Sequence, residues 1–392
     1  MIPRLKADLG ISDLTALWPS RDNKLDVEKF ERAFAELANQ KYAISFPYGR
    51  TAQIAILNAL GKPGGEVICP SYTCVVVAHA IVKAGMKPVF IDSNQSNFNM
   101  DWSYVREATN SKTIAIIATS IFGHPVNGDE FKSYRKDFPS ITILQDCAHS
   151  FLANDSHKEG LAAFFGLNIS KIITSIFGGM VTTDDPKFAV KVRKEREEML
   201  VDGGITHEIK KSLYLATVIA SFTRPIYRVV NFLERKKLLN RFVKYYDPYI
   251  IDLPKDAFIS MGGVQSRIGL MQCERYHKIV EHRRMIAEIY HTNLKGLFDF
   301  IMPPKHRNMT VSHFVIRTKY AERIKNECLN KNIQVGELID YDCSEIPIYK
   351  KAKYYGKKKS KEFPRLVINL PVHKGISELD AHKICTLLRN IA

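Results

Sequence analysis

Apolar positions along the chain change their spacing in a regular order. Val27, Phe30, Phe34 and Leu37 recur at helical intervals within Asp26–Asn39. Tyr42–Pro47 is a short apolar run that reads as a strand, followed by a turn at Tyr48-Gly49-Arg50-Thr51 and a helix over Ala52–Leu60. The alternation then repeats. Strands are predicted at Glu66–Pro70, Lys87–Asp92, Thr113–Phe122 and Ile141–Asp146. Helices are predicted at Val75–Lys83, near Trp102–Ala108 and at Asp129–Lys136. Strands separated by helical segments of about ten residues predict βαβ units and an α/β, mostly parallel, doubly wound sheet. The strands are apolar on both faces, as helices on both sides would require.

A further strand at Met180–Thr183 and a charged helix at Pro186–Met199 close this part. Residues 207–250 mix apolar and basic runs, and Pro225 interrupts them. A long helical pattern over Val264–Leu294 follows. The remainder reads as strand (VSHFVIRT), helix (Ala321–Asn330), strand (Ile333–Leu338), a basic loop (KKAKYYGKKKSK), strand (Leu366–Leu370) and helix (Ser377–Ile391). The pattern therefore divides the chain into an N-terminal arm (1–25), a large domain (26–205), a basic apolar insert or linker (206–257) and a smaller C-terminal α+β domain (258–392).

Composition narrows the class. With 392 residues and 45% hydrophobic content, one large and one small domain can each bury a core. The basic start, MIPRLKADLG, has no apolar run behind it, so it does not read as a secretory signal. No stretch is apolar for long enough to span a membrane. Seven cysteines without paired spacing fit reduced thiols in the cytoplasm better than disulfides or a metal site. The net charge of +16 favours acidic partners: nucleic acid, an anionic membrane surface or phosphorylated substrates. Nucleic acid fits least, because the basic residues lack interleaved aromatics and no binding motif is present.

The candidate chemistry centres on Ile141–Asp185. Asp146 closes an apolar strand, where ligands of open α/β sheets sit. A carboxylate there can ligate a metal, orient a base, pair with a cationic ring nitrogen, or simply cap a turn. Lys171 is flanked by Leu167, Ile169, Ile172 and Ile173, unlike an ordinary surface lysine. Desolvation lowers a lysine's pKa and makes it an amine nucleophile able to form a Schiff base. Gly49-Arg50-Thr51, between strand and helix, presents backbone N–H groups suited to phosphate, with the Thr51 hydroxyl as a further donor. Neither GxGxxG nor GxxxxGK[ST] occurs. Tyr72 and Cys74 follow a strand end, where an aromatic can stack on a flat cofactor or pack the loop. His149 lies three residues after Asp146 and serves either as a contact or as a cap.

Several stretches resemble, in one order, the DegT/DnrJ/EryC1/StrS family of sugar aminotransferases. They are YGRTAQIAILNALG, EVICPSYTCVVVAHAIVKAGMKPVFID, LQDCAHS, FFGLNISKIITSIFGGMVTTDD, GGVQSRIGLMQCERYHKIVEHRRMIAEIY and LPVHKGISELDAHKICTLL. The resemblance implies a fold-type I enzyme dependent on pyridoxal phosphate (PLP). It implies that Lys171 forms the Schiff base with PLP, that Asp146 pairs with the pyridinium, that His149 lies beside the ring and that Gly49–Thr51 binds the phosphate. It also implies a homodimer with the active site at its interface. The donor would be an amino acid, glutamate or glutamine. The acceptor would be a keto-sugar on a nucleotide diphosphate.

Some positions depart from the family pattern. Gly166 stands where members carry a phosphate-binding serine, and the stacking aromatic falls at Cys74, with Tyr72 the nearest substitute. Phe258 and Ser260 stand where an Asn and an Arg reach the partner's phosphate. Ser170 or Arg50 would compensate. A non-catalytic relative is the alternative, and the retained lysine argues against family dehydratases with histidine there. In 207–250, Leu213, Tyr214, Val218, Ile219 and Phe222 precede Arg224, Arg228, Arg235, Lys236 and Lys237. Either this segment packs on the dimer or over the site, or it is a basic amphipathic element on an anionic membrane surface.

Overall fold

The structure, a computed structural model, describes all residues except 19–21, 127, 237–246, 298–301, 303–307, 337 and 392. Strands β1 (Tyr42–Phe46), β2 (Glu66–Pro70), β3 (Lys87–Ile91), β4 (Thr113–Thr119), β5 (Thr142–Asp146), β6 (Ala162–Gly166) and β7 (Gly179–Thr183) form one sheet with β9 (Lys353–Tyr355). The order is β1-β7-β6-β5-β4-β2-β3-β9. Strand β7 runs antiparallel to both neighbours, and the remaining pairings are parallel. The sheet is therefore the mostly parallel α/β sheet that the alternation predicts. Helices cover it: α1 (Asn23–Ala38), α2 (Gly49–Leu60), α3 (Val76–Lys83), α4 (Trp102–Ala108), α5 (Asp129–Asp137) and α6 (Pro186–Met199). Ile44, Leu57, Val67, Phe90 and Leu144 belong to one apolar layer of the core, and Ile68, Val89, Ile116 and Trp102 to another.

Local chemistry sets the ends of these elements. Asp22 caps α1 by accepting the N–H groups of Lys24 and Leu25. Asp185 caps α6, with Pro186 at its first position. Helix α2 begins at Gly49, not at Ala52, so the expected turn over Gly49–Thr51 is the first turn of the helix itself. Strand β4 stops at Thr119, short of the expected Phe122. The Ser120 N–H bonds to the Asp146 carbonyl, and Phe122 takes a left-handed conformation (φ 53°). Strand β6 was not separated from the lysine segment by pattern. Its five residues end at Gly166, directly before the loop that carries Lys171.

Helices α7 (Gly204–Ser221) and α8 (Arg224–Arg235) follow, broken at Phe222 and Thr223, with Pro225 in the first turn of α8. Lys211, Leu215 and Val218 of α7 are buried, whereas Ile205, Ile209 and Leu213 are exposed. On α8, Tyr227 is buried and Ile226, Val229 and Phe232 are exposed. Lys237 lies outside the described residues. Helix α9 (Gly263–Leu294) packs on α1, and a Cβ at Gly269 would come within 2.4 Å of the Phe30 ring.

The C-terminal part has its own core, built from α9, α10 (Ala321–Asn330), α11 (Glu378–Ile391) and the antiparallel pair β8 (Phe314–Arg317) and β10 (Val367–Leu370). Two expectations change here. Ile333–Leu338 forms no strand among the described residues; it makes single bridges, Ile333 to Ile2 and Gly336 to Asn369. The basic loop contains β9, which leaves the C-terminal part to extend the large sheet beside β3. Flanking lysines hid this strand, whose own lysine, Lys353, is exposed, as an edge strand at the rim tolerates.

Candidate active site

One cleft gathers the C-terminal ends of β4, β5 and β6 with the start of α2. Asp146, at the end of β5, is buried, and both carboxylate oxygens are engaged. Ala148 N–H donates to Oδ1 at 3.1 Å, and Thr119 Oγ1 donates to Oδ2 at 3.2 Å. Burial raises the Asp146 pKa above the ordinary carboxylate range. The Ala148 N–H, the nearby Lys171 charge and the Thr119 hydroxyl oppose that rise. A buried acid under these conditions is a socket for a cationic partner.

Lys171 lies in the same cleft, five residues beyond β6. Burial lowers its pKa, against the pull of Cys74 and Asp146. Its loop is shaped by Asn168, which accepts the Ser170 N–H (2.9 Å) and hydroxyl (2.5 Å), while Lys171 N–H donates to the Asn168 carbonyl (3.0 Å). This is an Asx turn, and it fixes Ser170 and Lys171 at the cleft wall.

The phosphate-turn candidates divide. Gly49 and Arg50 line the cleft at the start of α2, where Tyr48 supplies no side-chain cap. Arg50 Nη1 donates to the Asp252 carbonyl at 3.1 Å. Thr51 is fully buried, and its hydroxyl donates to the Ala257 carbonyl at 2.9 Å. Its side chain is thus turned to the 252–257 segment, and its N–H stays in the first turn. Gly49 sits against the end of β6, since a Cβ there would approach Gly166 Cα at 3.0 Å. Tyr48 links this turn to α7: its hydroxyl donates to Asp256 Oδ1 (2.7 Å), and Lys211 Nζ donates to Asp256 Oδ2 (2.7 Å).

Cys74 lines the cleft, but Tyr72 does not. Tyr72 is fully buried in an aromatic cluster with Phe98, Phe122 and Phe363, so it does not supply the stacking face expected of it. His149 does line the cleft. Its ring stacks on Phe122 (centroids 5.9 Å, planes 16° apart), and its Nδ1 accepts the Phe122 N–H at 3.2 Å. That bond leaves Nδ1 unprotonated, and burial beside Lys171 and His313 pushes the His149 pKa well below its usual value.

His313 also lines the cleft, with its ring centroid 4.8 Å from that of His149, and it too is held neutral by burial and nearby positive charge. The sequence pattern marked its segment only as a strand. Thr119, Ala148 and Asn168 were missed as well. Only Asn168 had a visible signal, its position two residues before Ser170. Phe258 and Ser260 are outside this cleft, and Phe258 is 41% exposed. Among the described residues no cluster of His, Cys, Asp and Glu could hold a metal. No helix of the described residues is long and apolar enough to cross a membrane.

A primary amine of lowered pKa, a buried acid at a strand end and an uncapped helix start match the aldehyde, ring nitrogen and phosphate of PLP. With a mostly parallel sheet broken by one antiparallel strand, they define the fold-type I aminotransferase class. Similarity to known proteins carries this further. The chain belongs to the DegT/DnrJ/EryC1/StrS aminotransferase family, whose model matches residues 21–218 and 258–389. It is 26% identical over 370 residues to the GDP-perosamine synthase of Escherichia coli O157:H7, covering 92% of this chain and 88% of that protein. Helicobacter pylori PseC, an aminotransferase involved in pseudoaminic acid biosynthesis, superposes with a TM-score of 0.78 at 18% identity, over 100% of this chain and 98% of that one. The GDP-4-keto-6-deoxymannose-3-dehydratase ColD superposes with a TM-score of 0.76 at 17% identity, over 99% and 100%. The fold alone therefore serves both chemistries. The family is PLP-dependent, and this chain is an aminotransferase of it.

Proposed function

We propose that the enzyme uses PLP to move an amino group from an amino acid, glutamate or glutamine, to a keto-sugar carried on a nucleotide diphosphate, for surface polysaccharide or secondary-metabolite sugars. The observation that carries this reading is one cleft holding the Lys171 amine, the buried Asp146 carboxyl and the start of α2. Lys171 would hold the cofactor, Asp146 its ring nitrogen, and Gly49, Arg50 and the Thr51 N–H its phosphate, with Ser170, Cys74 and His149 along the walls. PLP, when bound, supplies the electron sink. Lys171 Nζ would be the base that takes the proton from the donor α-carbon. Its lowered pKa favours the neutral amine that this transfer needs. Neutral His149 and His313 add no positive charge that would compete with the ring nitrogen for Asp146.

In this reading residues 26–205 form the cofactor-binding domain and 258–392 the smaller domain. The protein works in the cytoplasm as a homodimer with the site at its interface. Exposed Val201, Ile205, Ile209 and Leu213 beside exposed Phe258 support the dimer. In segment 207–250, α7 fits the packing reading. For α8 the favoured contact is an anionic membrane surface, since Ile226, Val229 and Phe232 are exposed on a helix that also carries residues Arg224, Arg228 and Arg235. Absence of co-sedimentation with anionic vesicles at low salt removes that contact.

A donor and acceptor screen followed through the visible spectrum of the PLP-loaded protein tests the function. The expected result is bleaching by glutamate or glutamine and recovery with a nucleotide-linked keto-sugar. A purified protein that takes up no PLP contradicts the reading.

A further inference from the structure

Residues 1–20 lie outside the family match, yet Arg4 and Leu5 line the active cleft. The arm that brings them there is firmly held. Ile2 N–H donates to the Asn332 carbonyl at 2.8 Å, and Gln334 N–H donates to the Ile2 carbonyl at 2.9 Å. His373 Nε2 bonds the Pro3 carbonyl at 2.9 Å. Its Nδ1 accepts the Gly375 N–H at 3.1 Å, so Nε2 is the donor. Arg4 N–H donates to Gln334 Oε1 at 3.1 Å, and the same oxygen accepts the Tyr227 hydroxyl of α8 at 2.7 Å. The arm is therefore latched through Ile2, Pro3 and the Arg4 N–H itself. The Arg4 side chain runs past Gly336, where a Cβ would come within 3.1 Å of Nη1.

Basic side chains enter the cleft from both the large domain and the N-terminal arm. Among the described lining residues the cations are Arg4, Arg50 and Lys171, and the only acid is Asp146. Lys171 and Asp146 are used by the cofactor chemistry, and Arg50 stands at the start of α2. Arg4 comes from the opposite, C-terminal side of the cleft and has no place in that set. Both substrates of the proposed reaction bring oxyanions: carboxylates on the donor, a diphosphate on the acceptor. A guanidinium fork suits either, because it donates two parallel N–H bonds.

We infer that Arg4 is a substrate-binding residue that takes an oxyanion, the donor carboxylate or the acceptor diphosphate. Gln334 and Tyr227 act as positioning residues for the arm. The inference rests on the aminotransferase reading. It also assigns the unmatched N-terminal arm a role in specificity rather than in cofactor binding.

The test is calorimetric binding to PLP-loaded protein, with glutarate as the carboxylate probe and GDP, UDP and TDP as diphosphate probes. Wild type is compared with Arg4→Gln and Arg4→Lys. The expected result is that Arg4→Gln weakens one probe class about 10- to 100-fold and leaves the other within about twofold, the loss of a charge-assisted pair. Arg4→Lys keeps the charge without the fork and falls between. The weakened class identifies the source of the oxyanion. PLP content and melting temperature stay at wild-type values in both variants. Equal binding by wild type and Arg4→Gln, or wild-type binding of none of the probes, overturns the inference. Failure of the underlying reading is separate, since it shows as a wild-type protein that takes up no PLP.

Discussion

Replacing Gly166 with serine tests how the cleft holds a phosphate. Gly166 ends β6, its backbone faces Gly49 at the start of α2, and its φ is not in the left-handed region. A Cβ there would meet Lys171 Cε at 3.4 Å and Ala148 Cβ at 3.7 Å, ordinary contacts that need no backbone shift. Serine therefore fits, with its hydroxyl on the cleft side beside the helix start. A hydrogen bond to a charged group contributes about 1.5–3 kcal/mol, which is roughly a 10- to 150-fold gain in affinity. Equilibrium dialysis with PLP, followed by visible absorbance, gives the dissociation constant, and pyridoxal without phosphate is the control. Gly166→Ser should bind PLP tighter within that range and pyridoxal unchanged. No gain for PLP, or an equal gain for pyridoxal, would refute the placement of the phosphate at this turn.

Two other outcomes follow from the same geometry. Asp146→Asn removes the buried charge but keeps an oxygen to accept the Ala148 N–H, with its NH2 donating to the Thr119 hydroxyl in place of the present bond, so the variant should retain PLP and lose at least 100-fold in turnover, on the order expected for an electrostatic partner of the reacting group; turnover at wild-type level would remove Asp146 from its role. Buried His79 and His373 have pKa values lowered to about 4 by burial. Their folded pKa lies below the unfolded value of about 6.5, so stability is full above that value and falls as pH drops towards 4. Each histidine should cost about 2 kcal/mol between pH 7.5 and pH 5. Urea unfolding at the two values measures this, and His373→Gln should shrink the difference by about half of the pair's share; an unchanged difference contradicts the assignment.

The sheet was legible because its strands are apolar on both faces and separated by amphipathic helices. Lys171 and Asp146 were legible because each stands out chemically from apolar neighbours. What escaped was fixed by tertiary contact. Strand β9 is three residues long with an exposed lysine, Lys353, and lies among further lysines, so its pattern reads as a loop. Tyr72 sits at a position where an aromatic could stack on a ligand, yet the phenylalanines around it, distant in sequence, draw it into a core. Thr51 looked like a phosphate donor until the Ala257 carbonyl, 206 residues away, is seen to take its hydroxyl. Arg4 and His313 reach the cleft only because the arm and β8 are brought there by the C-terminal part.

The central claim is that Lys171 is the residue that holds PLP. Borohydride reduction of the PLP-loaded protein followed by peptide mass mapping tests it directly. The account predicts a single reduced phosphopyridoxyl group on the peptide containing Lys171, and none in Lys171→Ala. Modification of a different lysine, or the same labelling in the alanine variant, would contradict it.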